Sequence, residues 1–535
     1  MIGNPLSKQY ASIRNPHYAK NGMVATSHPL AAQAGLDILK KGGNAVDAAI
    51  ATAAVLTVVE PTSNGIGGDA FAIIWVKDKL YGLNSSGPSP KGLTMDALKA
   101  DGHDTIPTFG FSPVTVPGQP AAWAELSQRF GILPFEQLLQ TAIDIAYEGH
   151  AVAPTVSQYW QLAYTKYQDL FKGSQFDGWF EVFAPTGKAP NPGEIWRSPR
   201  HAKTLESIAT TKSKSFYTGE LADKMDAFSR QYGGYLRKED LAAFKPEWVD
   251  PISVDFMDHT IWELPPNGQG ICTLIALNIL NNFDLKSQTP ENLLHLLIES
   301  LKLAFADTHA HVSDLGHMAV PIDALLSESY ARERGACIQE TAIHPHPGKP
   351  TSGGTVYLST ADKDGNMVSY IQSNYMGFGS GLVVPETGIA LQNRGHNFNL
   401  IPGHPNCVSG AKKPYHTIIP GFLTKNGLPV GPFGVMGGFM QPQGHLQVII
   451  HSLLSGLNPQ DALDAPRWQW IQDKTIQVEK DFPSHLISSL TQKGHKIQVE
   501  HQSGGFGRGQ IIWRTHQGTY CGGTESRCDG HIASY

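Results

Sequence analysis

The sequence predicts a layered α+β fold in which two β-rich portions flank helices, and three observations carry that prediction. In residues 355–360, Thr355, Tyr357 and Ser359 alternate with Val356, Leu358 and Thr360, the period of two of a strand with unlike faces. Runs such as AVDAAIATAAVLTVV read instead as helices suited to tight burial between other layers. Glycine supplies 55 of the 535 residues and charged residues only 16%, against about 7% and about 25% in ordinary globular chains. Many tight turns and close backbone approaches are expected, in a compact body rather than a disordered scaffold. A chain this long suggests two domains or one large multilayered one.

In chain order, LAAQAGLDILKKGGNAVDAAIATAAVLTVVEP gives two helices joined at Gly42-Gly43, and EPTSNGIGGDAFAIIWV is a glycine-rich loop entering an apolar strand. Residues from about 120 to 245 look helical and amphipathic, with a tryptophan-rich loop. Residues 252–264 return to strand, which ELPPNGQG breaks with two prolines and two glycines before the apolar helix ICTLIALNIL. Residues 290–340 are helical again. Residues 338–354, ending in TSGG, are polar, proline-rich and glycine-rich without apolar period, the best linker candidate in the chain. The strand from Thr355 then turns at Asp364-Gly365, and MVSYIQS resumes the extended pattern, a hairpin. Further on, GPFGVMGGFMQPQGHLQVIIHSLL passes from a glycine loop into a helix.

A net charge of -6 with no basic run argues against nucleic acid or an anionic membrane as partner. The first residues, MIGNPLSKQYASIRNPHYAK, hold no apolar core of signal-peptide length, so a cytoplasmic location is expected. The apolar runs are too short to span a membrane. Five scattered cysteines do not form a disulfide framework, and Cys521 and Cys528 have no second ligand pair nearby for zinc. His309 and His311, like His344 and His346, read as surface or loop histidines rather than ligands. DKDGN resembles part of a calcium loop, but its glycine is misplaced and the twelfth position from Asp362 is Ser373, not glutamate. Nothing requires a metal or organic cofactor.

A Gly-Gly-Thr entering a strand is by itself an ordinary loop before a hairpin. Its company changes that reading: GGNAVDAAIATAA, VVEPTSNGIGGDAF, LPPNGQG, GGTVYLSTADKDGNMVSYIQSNYMGFGSG, GIALQNRGHNF, KKPYHTIIPG, GVMGGFMQPQG and LDAPRWQW occur in order over nearly the whole chain. Together they resemble the gamma-glutamyltransferase (glutathione hydrolase) family, most closely its bacterial glutathione hydrolase-like proenzymes. The resemblance implies a four-layer αββα N-terminal nucleophile hydrolase sandwich, formed by two subunits cut from one chain. It implies a cut between Gly354 and Thr355, giving a large subunit of residues 1–354 and a small catalytic subunit of residues 355–535.

The family chemistry accounts for the junction. Before the cut the Thr355 hydroxyl must reach the Gly354 carbonyl, and glycine tolerates strained backbone there. After it, Thr355 owns a free α-amino group whose ordinary pKa is about 7.7 to 8.0, usable as a base toward its own hydroxyl. By the same resemblance Ser373 supplies a second hydroxyl to the nucleophile, and Gly437 and Gly438 are the oxyanion pair.

Several substrate positions depart from the family. Ser86 stands where an arginine grips the substrate α-carboxylate, and Asn397 where an aspartate grips the α-amino group. Arg394 replaces a usual glutamine, His416-Thr417 a serine pair, and Tyr375 a strand asparagine. Removing one member of a buried charge pair costs about 2 to 5 kcal/mol, so an unmodified γ-glutamyl site should not survive these changes. Arg394 can take a carboxylate from the other side, or pair with an internal acid.

The expected activity is therefore a self-processing threonine amidohydrolase and acyltransferase, with γ-glutamyl transfer and glutathione hydrolysis as the family default. The alternatives are an acylase or amidase for a glutaryl or short dicarboxylic monoamide, and a catalytically silent binding protein. The expected partners are a small-molecule amide, a water or amine acceptor, and the chain's own two subunits.

Overall fold

The alternation read at Thr355 becomes strand Val356–Ala361, hairpinned to Met367–Ser373 in a computed structural model that describes residues 13–345 and 355–535. Gly365 takes the turn with φ +84°. Inside the turn, Asp362 Oδ1 accepts the N–H groups of Asp364 and Asn366, while Oδ2 accepts that of Ala45 at 2.8 Å. Ala45 is the first residue of helix Ala45–Val59, which Asn44 and Asp47 close with a reciprocal capping box. The Asp362 carboxylate of DKDGN is thus spent on backbone donors and the Asn366 side chain.

This hairpin is the centre of a seven-stranded antiparallel sheet, ordered His531–Ser534, Met23–Thr26, Val356–Ala361, Met367–Ser373, Asp69–Val76, Lys79–Ser85 and Glu247–Val249. A second seven-stranded sheet runs His17–Ala19, Tyr520–Thr524, Arg508–Arg514, Leu428–Met436, Gly421–Lys425, His259–Glu263 and Ile252–Phe256. Each sheet therefore mixes strands from both sides of position 355.

Period-two burial explains the layers. Phe71, Ile73, Tyr357 and Ile371 of the first sheet meet Phe422, Met436 and Ile512 of the second in one buried core. Their neighbours Ala72, Ile74, Val356 and Leu358 point the other way, into the helices Pro29–Lys40, Ala45–Val59 and Phe135–Glu148. On the far side, Leu423, Phe433 and Ile511 pack against helices Gly270–Leu280, Pro290–His311 and Met440–Ile449. The result is the αββα sandwich. Gly434 sets the sheet spacing locally, because a Cβ there would lie 2.4 Å from the Tyr357 ring.

Four sequence expectations need correction. Residues 252–264 are two strands rather than one, folded at Met257, which takes φ +57°. GPFGVM is not a loop but the end of a central strand, leaving the turn to Gly437-Gly438. The stretch from 338 is not free of structure: Ala342 is buried and donates its N–H to Lys493 O at 2.7 Å. His309 is packed rather than a surface residue, its ring meeting those of Tyr415 and Phe439 at 5.4 Å each. His346 and Gly354 lie outside the described residues. All five cysteines are free, and no helix among the described residues is long and apolar enough to cross a membrane.

Candidate active site

Thr355 lies immediately before its strand and is 1% exposed, so it sits at the edge of the inter-sheet core. The hairpin register pairs Val356 with Gln372, which brings Ser373 beside Thr355. Their hydroxyls are 3.1 Å apart. Ser373 Oγ also accepts the Tyr375 N–H at 2.8 Å. Tyr375 adopts φ +75°, a left-handed conformation that costs about 1 to 2 kcal/mol outside glycine. That conformation ends the strand and turns the chain out of it.

The Tyr375 ring carries the Arg394 guanidinium, 4.3 Å from its centroid. Arg394 comes from the 3-10 turn Arg394–Asn397 and is fully buried. Its Nη1 donates to Thr417 Oγ1 at 2.5 Å. Among the described residues, its buried Nε and Nη2 meet no hydrogen-bond partner and no carboxylate lies within ion-pair distance of it. Burial lowers its pKa to about 10, against the favourable fields of Tyr375 and Asp69. A buried, half-satisfied guanidinium is a binding element for a planar anion.

His416, which precedes Thr417 in sequence, is engaged elsewhere. Its Nδ1 accepts the Ile418 N–H at 3.3 Å, so Nε2 holds the proton and donates to Asp69 Oδ2 at 3.0 Å. Burial, followed by Arg394 and Lys413, holds His416 well below the usual histidine range and hence neutral. Asp69 Oδ1 gathers Gln392 Nε2 at 2.8 Å and the N–H groups of Gly87 and Gly118 at 3.1 Å. Burial pushes the Asp69 carboxyl up to about 7, against Arg394 and these donors.

Ser86 is likewise occupied. Its hydroxyl donates to Asn84 Oδ1 at 2.7 Å and meets the Asn267 side chain at 3.2 Å. Asn267 in turn donates to Pro414 O, tying this amide network to the segment that carries His416 and Thr417. Asn397 donates to Tyr415 O at 3.0 Å and is only partly buried.

The glycine pair closes the group. Gly437 and Gly438 have φ +144° and +61°, and neither donates its N–H to an acceptor among the described residues. Gln269 holds the turn by donating one amide nitrogen to both Thr417 O and Gly438 O, at 2.7 and 2.8 Å. A continuous path of contacts thus runs Thr355, Ser373, Tyr375, Arg394, Thr417, Gln269, Gly438.

The sequence model of the gamma-glutamyltranspeptidase family matches residues 31–535. The chain belongs to the gamma-glutamyltranspeptidase family. It is 35% identical over 521 residues to the glutathione hydrolase-like YwrD proenzyme of Bacillus subtilis, covering 95% of this chain and 97% of that one. It is 32% identical over 538 residues to the oxamate amidohydrolase proenzyme of Klebsiella pneumoniae, covering 98% and 100%. Among solved structures, cephalosporin acylase from Bacillus halodurans superposes with a TM-score of 0.97 at 57% identity, covering 100% of this chain and 99% of that one. In fold and family, this gamma-glutamyltranspeptidase relative is an N-terminal nucleophile hydrolase.

Three residues that sequence reasoning passed over support this site: Asp69, Gln269 and Gln392. All lie inside quoted motifs, GGDAF, LPPNGQG and GIALQNRG, and all are fully buried polar side chains. A polar residue in a glycine-rich stretch beside an apolar strand was the available signal.

Proposed function

We propose that the chain is a self-processing threonine amidohydrolase and acyltransferase, cut before Thr355 into a large piece of residues 1–354 and a small piece of residues 355–535. The observation that carries this is the buried Thr355 hydroxyl, 3.1 Å from Ser373 Oγ at the mouth of a central strand. In processing, Thr355 Oγ attacks the Gly354 carbonyl carbon and the peptide nitrogen leaves as the Thr355 amine. Water then hydrolyses the ester, leaving a free carboxyl on Gly354.

In turnover, that amine takes the hydroxyl proton as Oγ attacks a substrate amide. The oxyanion is stabilised by the free N–H groups of Gly437 and Gly438. Collapse expels the substrate amine, which leaves with the proton, and the acyl group stays on Thr355 until water or a second amine removes it. Ser373 orients the nucleophile.

The family-default donor is a γ-glutamyl amide such as glutathione. A second reading, an amide of a short dicarboxylic acid or a glutaryl group, is favoured by Arg394, whose unused N–H groups suit the far carboxylate of such an acyl chain. The engaged Ser86 offers no charge for an α-carboxylate, and the uncharged Asn397 none for an α-ammonium. Relatives named as an oxamate amidohydrolase and a cephalosporin acylase support this breadth.

The test is an acyl-trapping experiment. Processed protein is mixed with γ-glutamyl, glutaryl and short dicarboxylic amides, quenched in acid, and the small piece weighed intact. A mass gain equal to one acyl group on the small piece, absent when its Thr355 terminus is chemically blocked beforehand and absent from the uncut Thr355→Ala chain, supports the reaction and identifies its donor. No adduct and no released amine with any of the three classes would leave a binding protein as the better account.

A further inference from the structure

Along one stripe of helix Pro290–His311, His295, Glu299 and Lys302 are all buried. The Glu299 and Lys302 side chains are 0% exposed and pair at 2.7 Å. Such a pair is costly to bury unless further hydrogen bonds satisfy both members. Here both members bond the backbone of one residue, Ile343. Lys302 Nζ donates to Ile343 O at 2.6 Å, and Glu299 Oε2 accepts the Ile343 N–H at 3.3 Å.

The neighbouring histidines extend the grip. His295 Nε2 lies 2.8 Å from Gln339 O and, facing a carbonyl, is the donor. Its Nδ1 therefore accepts from His495 Nε2 at 2.9 Å. Beside His495, Lys493 O accepts the Ala342 N–H at 2.7 Å, and Lys493 Nζ reaches Glu340 O at 3.4 Å. The backbone of residues 339–343 is thus held from two sides, by a helix upstream of Thr355 and by a loop downstream of it. The donor atoms of His295, Glu299 and His495 lie within 4.8 Å of one another, a spacing that could suit a metal. Lys302 is nevertheless the cation that Glu299 Oε1 already serves, so no ion is needed to account for the cluster.

Ile343 stands twelve positions before Thr355. A segment that had only to let two ends separate would need no buried ion pair reading its backbone. We propose that His295, Glu299, Lys302 and His495 form a dock for the chain upstream of the cut, and act as positioning residues for self-cleavage by fixing where the segment that delivers Gly354 begins. The inference rests on the reading of Thr355 as the processing nucleophile.

The test compares freshly made full-length chain in three forms: wild type, Ile343→Pro, and the double variant Glu299→Gln with Lys302→Met. Ile343→Pro removes the N–H from the tail side and leaves every residue of the helix unchanged. The double variant removes the pair without stranding a charge. Conversion to two pieces is followed by denaturing electrophoresis, tail exposure by limited proteolysis between residues 336 and 345, and amide turnover per new Thr355 terminus.

Both variants should convert about tenfold more slowly or worse, show protease cuts in the tail, and keep wild-type turnover per terminus. Conversion at the wild-type rate in both variants would overturn the inference. So would a parallel fall of conversion, turnover and thermal midpoint, which would mark the cluster as ordinary packing. If wild type itself never yields a fragment beginning TVYLS, the nucleophile reading fails instead, and the two failures are told apart.

Discussion

The Arg394 guanidinium lies 4.3 Å from the centroid of the Tyr375 ring, with Nη1 on Thr417 and with Nε and Nη2 unpartnered among the described residues. A cation–π contact is worth about 2 kcal/mol or more when desolvated, which offsets only part of the penalty of a buried unpaired charge. The proposed function assigns the missing partner to a substrate carboxylate. Arg394→Gln should therefore raise KM for carboxylate-bearing amides by roughly 30-fold to several-thousand-fold, matching about 2 to 5 kcal/mol. Amides without a carboxylate should be little affected, and the thermal midpoint of the unliganded protein should hold or rise. A uniform loss on every amide would assign Arg394 to structure instead.

Ser373→Ala removes the hydroxyl beside Thr355 and the acceptor of the Tyr375 N–H at once. Turnover should fall by about tenfold or more, the value of one hydrogen bond of about 1.4 kcal/mol, with KM changed less. Ser373→Thr keeps the hydroxyl and should restore part of the loss. Steady-state kinetics on a single amide donor decide this.

Gly434 faces the Tyr357 ring, which two serines hold in place: Tyr357 OH meets Ser369 Oγ at 2.7 Å and Ser359 Oγ at 3.0 Å. Gly434→Ala forces that ring or the sheet to shift. A loss of about 1 to 3 kcal/mol is expected, read as a lower denaturant midpoint. An unchanged midpoint would mean that the two sheets are not locked at this contact.

Burial lowers both His201 and His309 to about 4, the latter with a smaller push from His404. Their folded pKa lies below the unfolded value of about 6.5, so unfolding takes up protons at acid pH. Their contribution is complete above pH 6.5 and is lost as pH falls toward 4, at about 3 kcal/mol each at most. Asp69, raised to about 7, works the other way over the same range, so the histidine share is read by comparison: relative to pH 7.5, the thermal midpoint at pH 4.5 should fall less, or rise more, in His201→Gln and His309→Gln than in wild type. An identical pH profile in wild type and both variants would contradict neutral buried histidines.

The hairpin at Thr355 was legible because its signals are local: alternation, an Asp-Gly turn, then alternation again. Residues 252–264 hid their turn because Met257-Asp258 carries no glycine, proline or asparagine, and the two-residue hairpin between Phe256 and His259 puts the exposed Met257 at left-handed φ. GPFGVM looked like a loop because glycines weaken strand propensity, yet Gly434 is needed where Tyr357 crosses between the sheets. The site was legible residue by residue through the family resemblance, but its wiring was not. Asp69 and His416 are 347 positions apart, and only the fold reveals that each occupies the other. The same holds for Ser86, which sequence position offers to a substrate and the structure gives to Asn84 and Asn267.

The central claim is that Thr355 becomes the N-terminal nucleophile, and the most direct measurement is the intact mass of the purified chain with N-terminal sequencing of every fragment. The account predicts two pieces, one beginning TVYLS, for the wild type, and a single uncut chain for Thr355→Ala. A Thr355→Ala chain cut at the same bond, or a wild-type chain that stays whole through prolonged incubation, would contradict it.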